Sequence, residues 1–275
     1  MFTNNSKLTS VDEEYQKCEI NDFFEGTEKR ISIHTTNYLM NYSESHWEFL
    51  IKKIGCNVIN IIQNDFYTFF LLEESSFLLG KNYAMLKTCG KTKPLLFLTD
   101  ICGAENINIL SFKYSHTDFL NPELQDYPYD SIKNEYDVLQ QYCVNNCYDD
   151  CEIKKQSKWL CCQVGNNHEI FYELICWKFD WNESTHLHLK TILSDHFSSD
   201  NIANQLIFDE KCFSPCGYSL NMLCCEQYLT IHVTPQKSCS YFSIETNCHT
   251  AMLLFNKITT LISASDFEIH TPNDY

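Results

Sequence analysis

Residues 73–77 read Glu-Glu-Ser-Ser-Phe, and the cysteine of Leu-Lys-Thr-Cys-Gly (86–90) stands fourteen positions after the first serine. Two hydroxyls beside an acid make an ordinary turn or strand end. They also set a nucleophile against a peptide carbonyl, so the Glu74–Ser75 bond is a candidate substrate as well as a candidate turn. His232 sits in the apolar run Tyr-Leu-Thr-Ile-His-Val-Thr-Pro (228–235). An imidazole there needs a hydrogen-bonding partner, and a satisfied core histidine is the alternative to a catalytic one. Ser219 closes the turn-like Ser-Pro-Cys-Gly-Tyr-Ser (214–219) just after Phe213, and Glu25 and Glu28 stand three apart beside Phe23 and Phe24. Cys143, Cys147 and Cys151 recur every four residues, which in a helix would align them roughly on one face. No CxxC pair or fourth ligand at zinc-finger spacing accompanies them, so buried or incidental thiols are the favoured reading and no metal is expected. Cys161 and Cys162 would alternate across a strand, and His186 and His188 read as a solvated pair. Neither a GxGxxG nor a Walker loop advertises a nucleotide phosphate.

Such residues need elements to hold them. The spacing of Trp47, Leu50, Ile51 and Ile54 predicts a helix over 45–55 with Ser45 as its N-cap. Aliphatic and aromatic runs between polar breaks predict strands at 56–63, 65–76, 82–89 and 107–115, with a short helix at 94–103. Ile132, Tyr136, Val138, Leu139 and Tyr142 predict a helix over 130–144. The second half repeats the theme, with strands at 158–165, 169–179, 217–223, 228–235 and 240–247 and helices near 186–197 and 249–263. Strand-rich segments with helices in each half imply an α+β architecture of sheets packed face to face. With only 7 Gly and 6 Pro there is little linker material. Residues 21–275 therefore read as one domain behind a disordered polar arm at 1–20.

Composition narrows the function. Among 275 residues, 44% are hydrophobic and 20% charged, a globular balance. The formal charge of −16 argues against a nucleic-acid binder, which needs a basic face to neutralise phosphates. The N-terminus has neither the basic and apolar regions of a secretory leader nor the composition of a transit peptide. No run reaches the roughly 18 apolar residues of a membrane span. Sixteen cysteines in such a chain read as reduced thiols, and the expected location is the cytoplasm.

In order along the chain, Phe-Phe-Glu-Gly-Thr-Glu-Lys (23–29), Leu-Glu-Glu-Ser-Ser (72–76), Leu-Lys-Thr-Cys-Gly (86–90), Phe-Ser-Pro-Cys-Gly-Tyr-Ser (213–219), Leu-Thr-Ile-His-Val-Thr-Pro (229–235) and Tyr-Phe-Ser-Ile-Glu-Thr-Asn (241–247) resemble the eukaryotic S-adenosylmethionine decarboxylase proenzyme family. The resemblance runs from about 22 to 247. It implies a four-layer αββα sandwich, two antiparallel sheets flanked by helices. It also implies serinolysis at Glu74-Ser75, giving a small chain (1–74) and a large chain (75–275) that begins with a pyruvoyl group made from Ser75. That ketone would form a Schiff base with S-adenosylmethionine and take the place of pyridoxal phosphate. The product would be the aminopropyl donor for spermidine and spermine. By the same match Cys89 is the proton donor, His232 the processing base, Ser219 a hydroxyl assisting processing, and Glu25 and Glu28 acidic site residues. Phe24 and Phe213 would sandwich the adenine, and Glu74 becomes a new carboxyl terminus beside the substrate.

Two departures matter. Gln236 stands where relatives carry a glutamate for the ribose hydroxyls, so an amide replaces a charged bidentate acceptor. Arg30 and Lys113 stand at positions that are apolar in animal relatives and basic in plant ones. Glu245 matches one acid of the animal putrescine site, while Ser32 replaces another. Fixed cations there imply activity with little putrescine stimulation. The resemblance leaves a homodimer open, and neither nucleic acid nor membrane is an expected partner. A catalytically weak regulatory paralogue that activates a partner decarboxylase is the alternative function, and a cysteine-rich metal module is the third.

Overall fold

The computed structural model describes residues 24–73, 75–104, 107–165, 169–197, 206–214, 216–236 and 240–272. The arm expected at 1–20 and Glu74 lie outside them. Eight antiparallel strands form one sheet: β1 (Lys29–Thr35), β2 (Val58–Gln63), β3 (Tyr67–Leu72), β4 (Ser75–Gly80), β5 (Tyr83–Thr88), β6 (Ile109–Thr117), β7 (Glu152–Gln156) and β8 (Trp159–Val164). Their spatial order is β2-β3-β4-β5-β1-β6-β8-β7. A six-stranded antiparallel sheet combines β9 (Tyr172–Lys178), β10 (Leu206–Cys212), β11 (Tyr218–Cys224), β12 (Gln227–Thr234), β13 (Tyr241–Thr246) and β14 (Asp266–His270) in the order β10-β11-β12-β13-β9-β14. The helices are α1 (Glu44–Lys53), α2 (Leu95–Ala104), α3 (Ile132–Asn145), α4 (Glu183–Phe197) and α5 (Ala251–Leu261).

Strand alternation sends successive side chains to opposite faces, and each sheet uses the two faces differently. The outer face of the first sheet, with Ile31, Phe70, Phe77, Leu86 and Phe112, packs on Trp47 and Leu50 of α1, Leu98 of α2 and Leu139 of α3. Leu220, Leu229, Ile231, Phe242 and Ile244 of the second sheet pack on Leu189 and Leu193 of α4 and on Leu254, Phe255 and Ile258 of α5. Between the sheets lies a smaller apolar cluster of Phe69, Leu78, Met85, Leu223 and Tyr228. Two outer cores and an inter-sheet contact make the expected αββα sandwich. Among the described residues no helix is long and apolar enough to cross a membrane.

Several expectations need correction. The segment 65–76 is not one strand: β3 ends at Leu72, and Ser75 opens β4, which pairs back with Leu72 opposite Ser75. The polar break at 73–76 thus separates two paired strands and opens the second. Ser43, not Ser45, caps α1, its Oγ accepting the His46 amide at 3.3 Å. Ser131 caps α3 by accepting the Asn134 amide at 3.2 Å. That helix ends at Asn145, and Cys147 then takes a φ of 57°, so Cys143, Cys147 and Cys151 do not share a helical face.

Gly26, just before β1, lies tight against the second sheet. A Cβ there would stand 2.6 Å from Tyr241 Cβ and 3.2 Å from Thr234 Cβ. Gly26→Ala is therefore expected to lower stability by about 1–3 kcal/mol, the usual cost of overpacking. A drop in the urea midpoint checks this, and an unchanged midpoint contradicts it.

Candidate active site

Ser75 is 1% exposed, and its Oγ accepts the Cys89 backbone N–H at 3.4 Å. Its side chain lies on the helix-facing side of β4 with Cys56, whose thiol burial pushes up to about 12 against the opposing effect of the Ser75 hydroxyl. Ser75 is thus held between the Cys56 thiol and the backbone amide of Cys89. Gly90, at φ 61°, turns the chain after Cys89, and its missing Cβ leaves room for the Phe24 ring, which a side chain would meet at 3.0 Å. Lys29 Nζ donates to Gly90 O at 2.7 Å and to Gln125 Oε1 at 3.3 Å, tying down the same turn. Phe24 N–H donates to Gln236 Oε1 at 3.4 Å, so those two expected substrate residues are adjacent. Phe213 is half-buried in the turn before β11, where its N–H donates to Gly217 O at 3.0 Å.

The two acids read from Phe-Glu-Gly-Thr-Glu divide. Both Glu25 oxygens are occupied by backbone amides: Thr27 at 3.2 Å on one, Leu120 at 2.9 Å and Asn121 at 3.3 Å on the other. Glu28 faces the space between the sheets, 3.3 Å from Lys87 Nζ and 4.0 Å from His232 Nε2. Neither of its oxygens makes a well-formed hydrogen bond among the described residues. Burial raises its pKa to about 7, with Lys87 opposing the rise.

His232 and Ser219 are paired neighbours on β12 and β11, and Ser219 Oγ stands 2.8 Å from His232 Nδ1. Burial and the nearby Lys87 push the imidazole down to about 3, so it is neutral at physiological pH. Across the gap, alternation turns Ser76, not Ser75, toward this pair. Ser76 donates to Asn221 Oδ1 at 2.6 Å, and Thr230 bridges Asn221 and His232.

Further along the gap the polar lining becomes ionic. Arg30 grips Glu245 with a fork, Nε to Oε2 and Nη2 to Oε1, both 2.9 Å, and also pairs with Glu169. Its guanidinium carbon stacks 4.0 Å from the Phe171 ring centroid. Burial would raise Glu245, but Arg30 and Lys87 hold it down to about 2. Lys87 pairs with Glu173 and lies 3.4 Å from Glu245. Lys113 stands 5.6 Å from the same Phe171 ring, and burial lowers its pKa to about 8. Lys87, Glu169, Glu173 and Cys56 were not anticipated as site residues. The available signal was a charge at alternate positions of otherwise apolar strands, as in Tyr-Ala-Met-Leu-Lys-Thr and Tyr-Glu-Leu-Ile-Cys-Trp.

The cysteine trio is reorganised. Cys143 and Cys151 are joined as a disulfide, which overturns the reading of reduced thiols for these two. Cys162 Sγ lies 3.9 Å from Cys151 Sγ, while Cys147 is exposed. A cleft of about 520 Å³ opens at the far edge of the sandwich, lined by Glu152, Trp159, Glu268 and His270 among others, and contains none of the expected site residues.

A family model described as adenosylmethionine decarboxylase matches residues 21–272. An S-adenosylmethionine decarboxylase proenzyme of Xenopus laevis is 31% identical over 256 residues, covering 82% of this chain and 75% of that one. Its counterpart in Drosophila melanogaster is 29% identical over 260 residues, again 82% and 75%. A solved chain described as "Crystal structure of Trypanosoma brucei AdoMetDC-delta26 monomer" is 14% identical, with a TM-score of 0.43 over 77% of this chain and 78% of that one.

Glu28 generates a pH prediction. A carboxyl raised from 4.5 to about 7 on folding contributes stability below pH 4.5 that is lost as pH rises through 7. The stability of the parent relative to Glu28→Gln should fall by about 3 kcal/mol between pH 4.5 and 8. Denaturation curves across that range check the slope, and a flat difference removes the buried-acid assignment.

Proposed function

Because the chain belongs to the adenosylmethionine decarboxylase family, we propose that it decarboxylates S-adenosylmethionine after cutting itself between Glu74 and Ser75. The observation that carries this reading is the buried apposition of Ser75 and Cys89 at the ends of β4 and β5. In the cleavage, Ser75 Oγ attacks the Glu74 carbonyl carbon and the C–N bond breaks, leaving an ester and a free amine on residue 75. Removal of the Ser75 Cα proton expels the Glu74 carboxylate and leaves dehydroalanine. Its imine tautomer takes up water and releases ammonia, and residue 75 becomes a pyruvoyl group. Neutral His232 suits the role of base, with Ser219 hydrogen-bonded to it.

The surroundings of Ser75 fit a pyruvoyl group, since it opens a strand and is buried beside Cys56 and Cys89. When present, the ketone supplies the electron sink for the carbanion left by carbon dioxide. No metal and no pyridoxal phosphate are needed for that role. Cys89, held by the Gly90 turn, returns a proton as a thiol. Phe24 offers an aromatic face fixed by Gly90 and Gln236, and Phe213 is its proposed partner across the adenine. Glu25 fixes the 120–121 loop, and it and Glu28 remain the proposed acidic residues of the site. Glu74, as the new terminus, remains a proposed substrate contact.

Arg30 and Lys113 take the place of a diamine. Glu245 Oε1 accepts from Arg30 and from Tyr228 at 2.9 Å, and Oε2 accepts from Arg30 while Lys87 closes on it, so neither oxygen is left for putrescine. The reaction belongs in the cytoplasm on this reading, with S-adenosylmethionine as partner and the small and large chains held in one fold.

Two outcomes follow. The denatured mass of purified protein should show two fragments split after Glu74, the larger without an N-terminal amine, while Ser75→Ala stays whole; an intact parent, given time to mature, overturns the proposal. Gln236→Glu should restore a charge-assisted acceptor and lower the KM for S-adenosylmethionine by about fivefold. An unchanged KM removes the ribose role of residue 236.

A further inference from the structure

The hydroxyls around His232 form a chain whose direction can be worked out. Asn221 Nδ2 donates to Phe70 O at 3.1 Å, which fixes the amide so that Oδ1 is the acceptor facing Ser76 and Thr230. Ser76 spends its one proton on that oxygen at 2.6 Å. Thr230 Oγ1 lies 2.9 Å from the same oxygen and 3.0 Å from Ser76 Oγ, and a carbonyl oxygen has two lone pairs to offer. Thr230 therefore spends its proton within this trio and turns only lone pairs toward His232 Nε2, 3.1 Å away. Ser76, Asn221, Thr230 and Ser219 are each at most 1% exposed, so water does not compete for these bonds.

A neutral imidazole carries one N–H. We propose that Asn221 and Thr230 are positioning residues that lock His232 in the Nε2–H tautomer, so that its basic nitrogen is Nδ1, on the Ser219 side. Ser219 Oγ–H then donates to Nδ1 at 2.8 Å. The second serine of the Ser75-Ser76 pair anchors the amide that orients the base, a role separate from that of the first. A base in the wrong tautomer presents an N–H where a lone pair is needed, and general-base catalysis is lost whatever the ring's position. This inference rests on the reading of His232 as the base of self-cleavage.

The test separates the lock from that reading. Nitrogen-15 spectra of histidine-labelled full-length Ser75→Ala protein, with His232 assigned by its loss in His232→Gln, report which ring nitrogen carries the proton. The expected result is Nε2–H. Thr230→Val should move His232 toward Nδ1–H and, in the otherwise parental chain, slow self-cleavage on the order of 10²-fold, the scale of a lost general base. Thr230→Ser, which keeps the hydroxyl, should restore both. An Nδ1–H tautomer in the parent overturns the proposal without any variant at position 230. So does an unchanged tautomer in Thr230→Val, or a changed one with undiminished cleavage. If the parent never cleaves but shows Nε2–H that Thr230→Val abolishes, the lock stands and the self-cleavage reading falls.

Discussion

Arg30 clasps both oxygens of Glu245 in a space walled by two sheets, and the rest of the interior is arranged around that ion pair. A charge taken from water into such a gap costs several kcal/mol unless partners compensate it, and removing one partner of a buried pair costs about 3–5 kcal/mol. Arg30, Lys87 and Lys113 accordingly face Glu28, Glu169, Glu173 and Glu245. Those carboxyls outnumber the cations by one, and Glu28 is the group whose pKa rises to about 7. Protonating it closes the balance. Burial chiefly, and then Lys87, keep a proton off His232, and Lys87 is also one of the two cations that hold Glu245 ionised. The ionic interior and the neutral imidazole are thus parts of one electrostatic arrangement.

That arrangement reverses the usual layout of a sandwich. Apolar side chains fill the two outer layers under the helices, while most of the inter-sheet surface near the site is polar. A strand buried on both faces cannot show the simple alternation of a half-exposed one, which is why charges at alternate positions mark the inner face here. The same alternation separates the two serines. Ser75 points to the helix side with Cys56, where its Oγ meets the Cys89 amide, and Ser76 points to Asn221 and Thr230. A one-residue shift of register would exchange their environments.

The family and the fold class were more legible than the element boundaries. Ser75, Cys89, Ser219 and His232 stood out as polar residues at fixed places in apolar or turn-like stretches, and the motif order tied them to a family. Long apolar strands and amphipathic helices were also readable, with ends off by a few residues. The break between β3 and β4 was missed because the polar residues at 73–76 look like the frayed end of a single strand. Strand β1 was missed because Lys29 and Arg30 are ionic in sequence, and only their partners on distant strands make a strand there tenable. Lys87 with Glu173 and Cys151 with Cys162 are pairings between elements far apart in the chain or folded back by a turn. No local pattern encodes them. Conversely, the four-residue spacing of Cys143, Cys147 and Cys151 suggested a helical face that the end of α3 at Asn145 prevents.

Built-in cations, on the proposed reading, ready this site to decarboxylate S-adenosylmethionine without help from a diamine. The most direct test is release of labelled carbon dioxide from carboxyl-labelled S-adenosylmethionine by the purified, matured chain, with and without putrescine. The predicted result is release without the diamine, at a rate the diamine leaves nearly unchanged. Absence of release, or release that depends on putrescine, would contradict it.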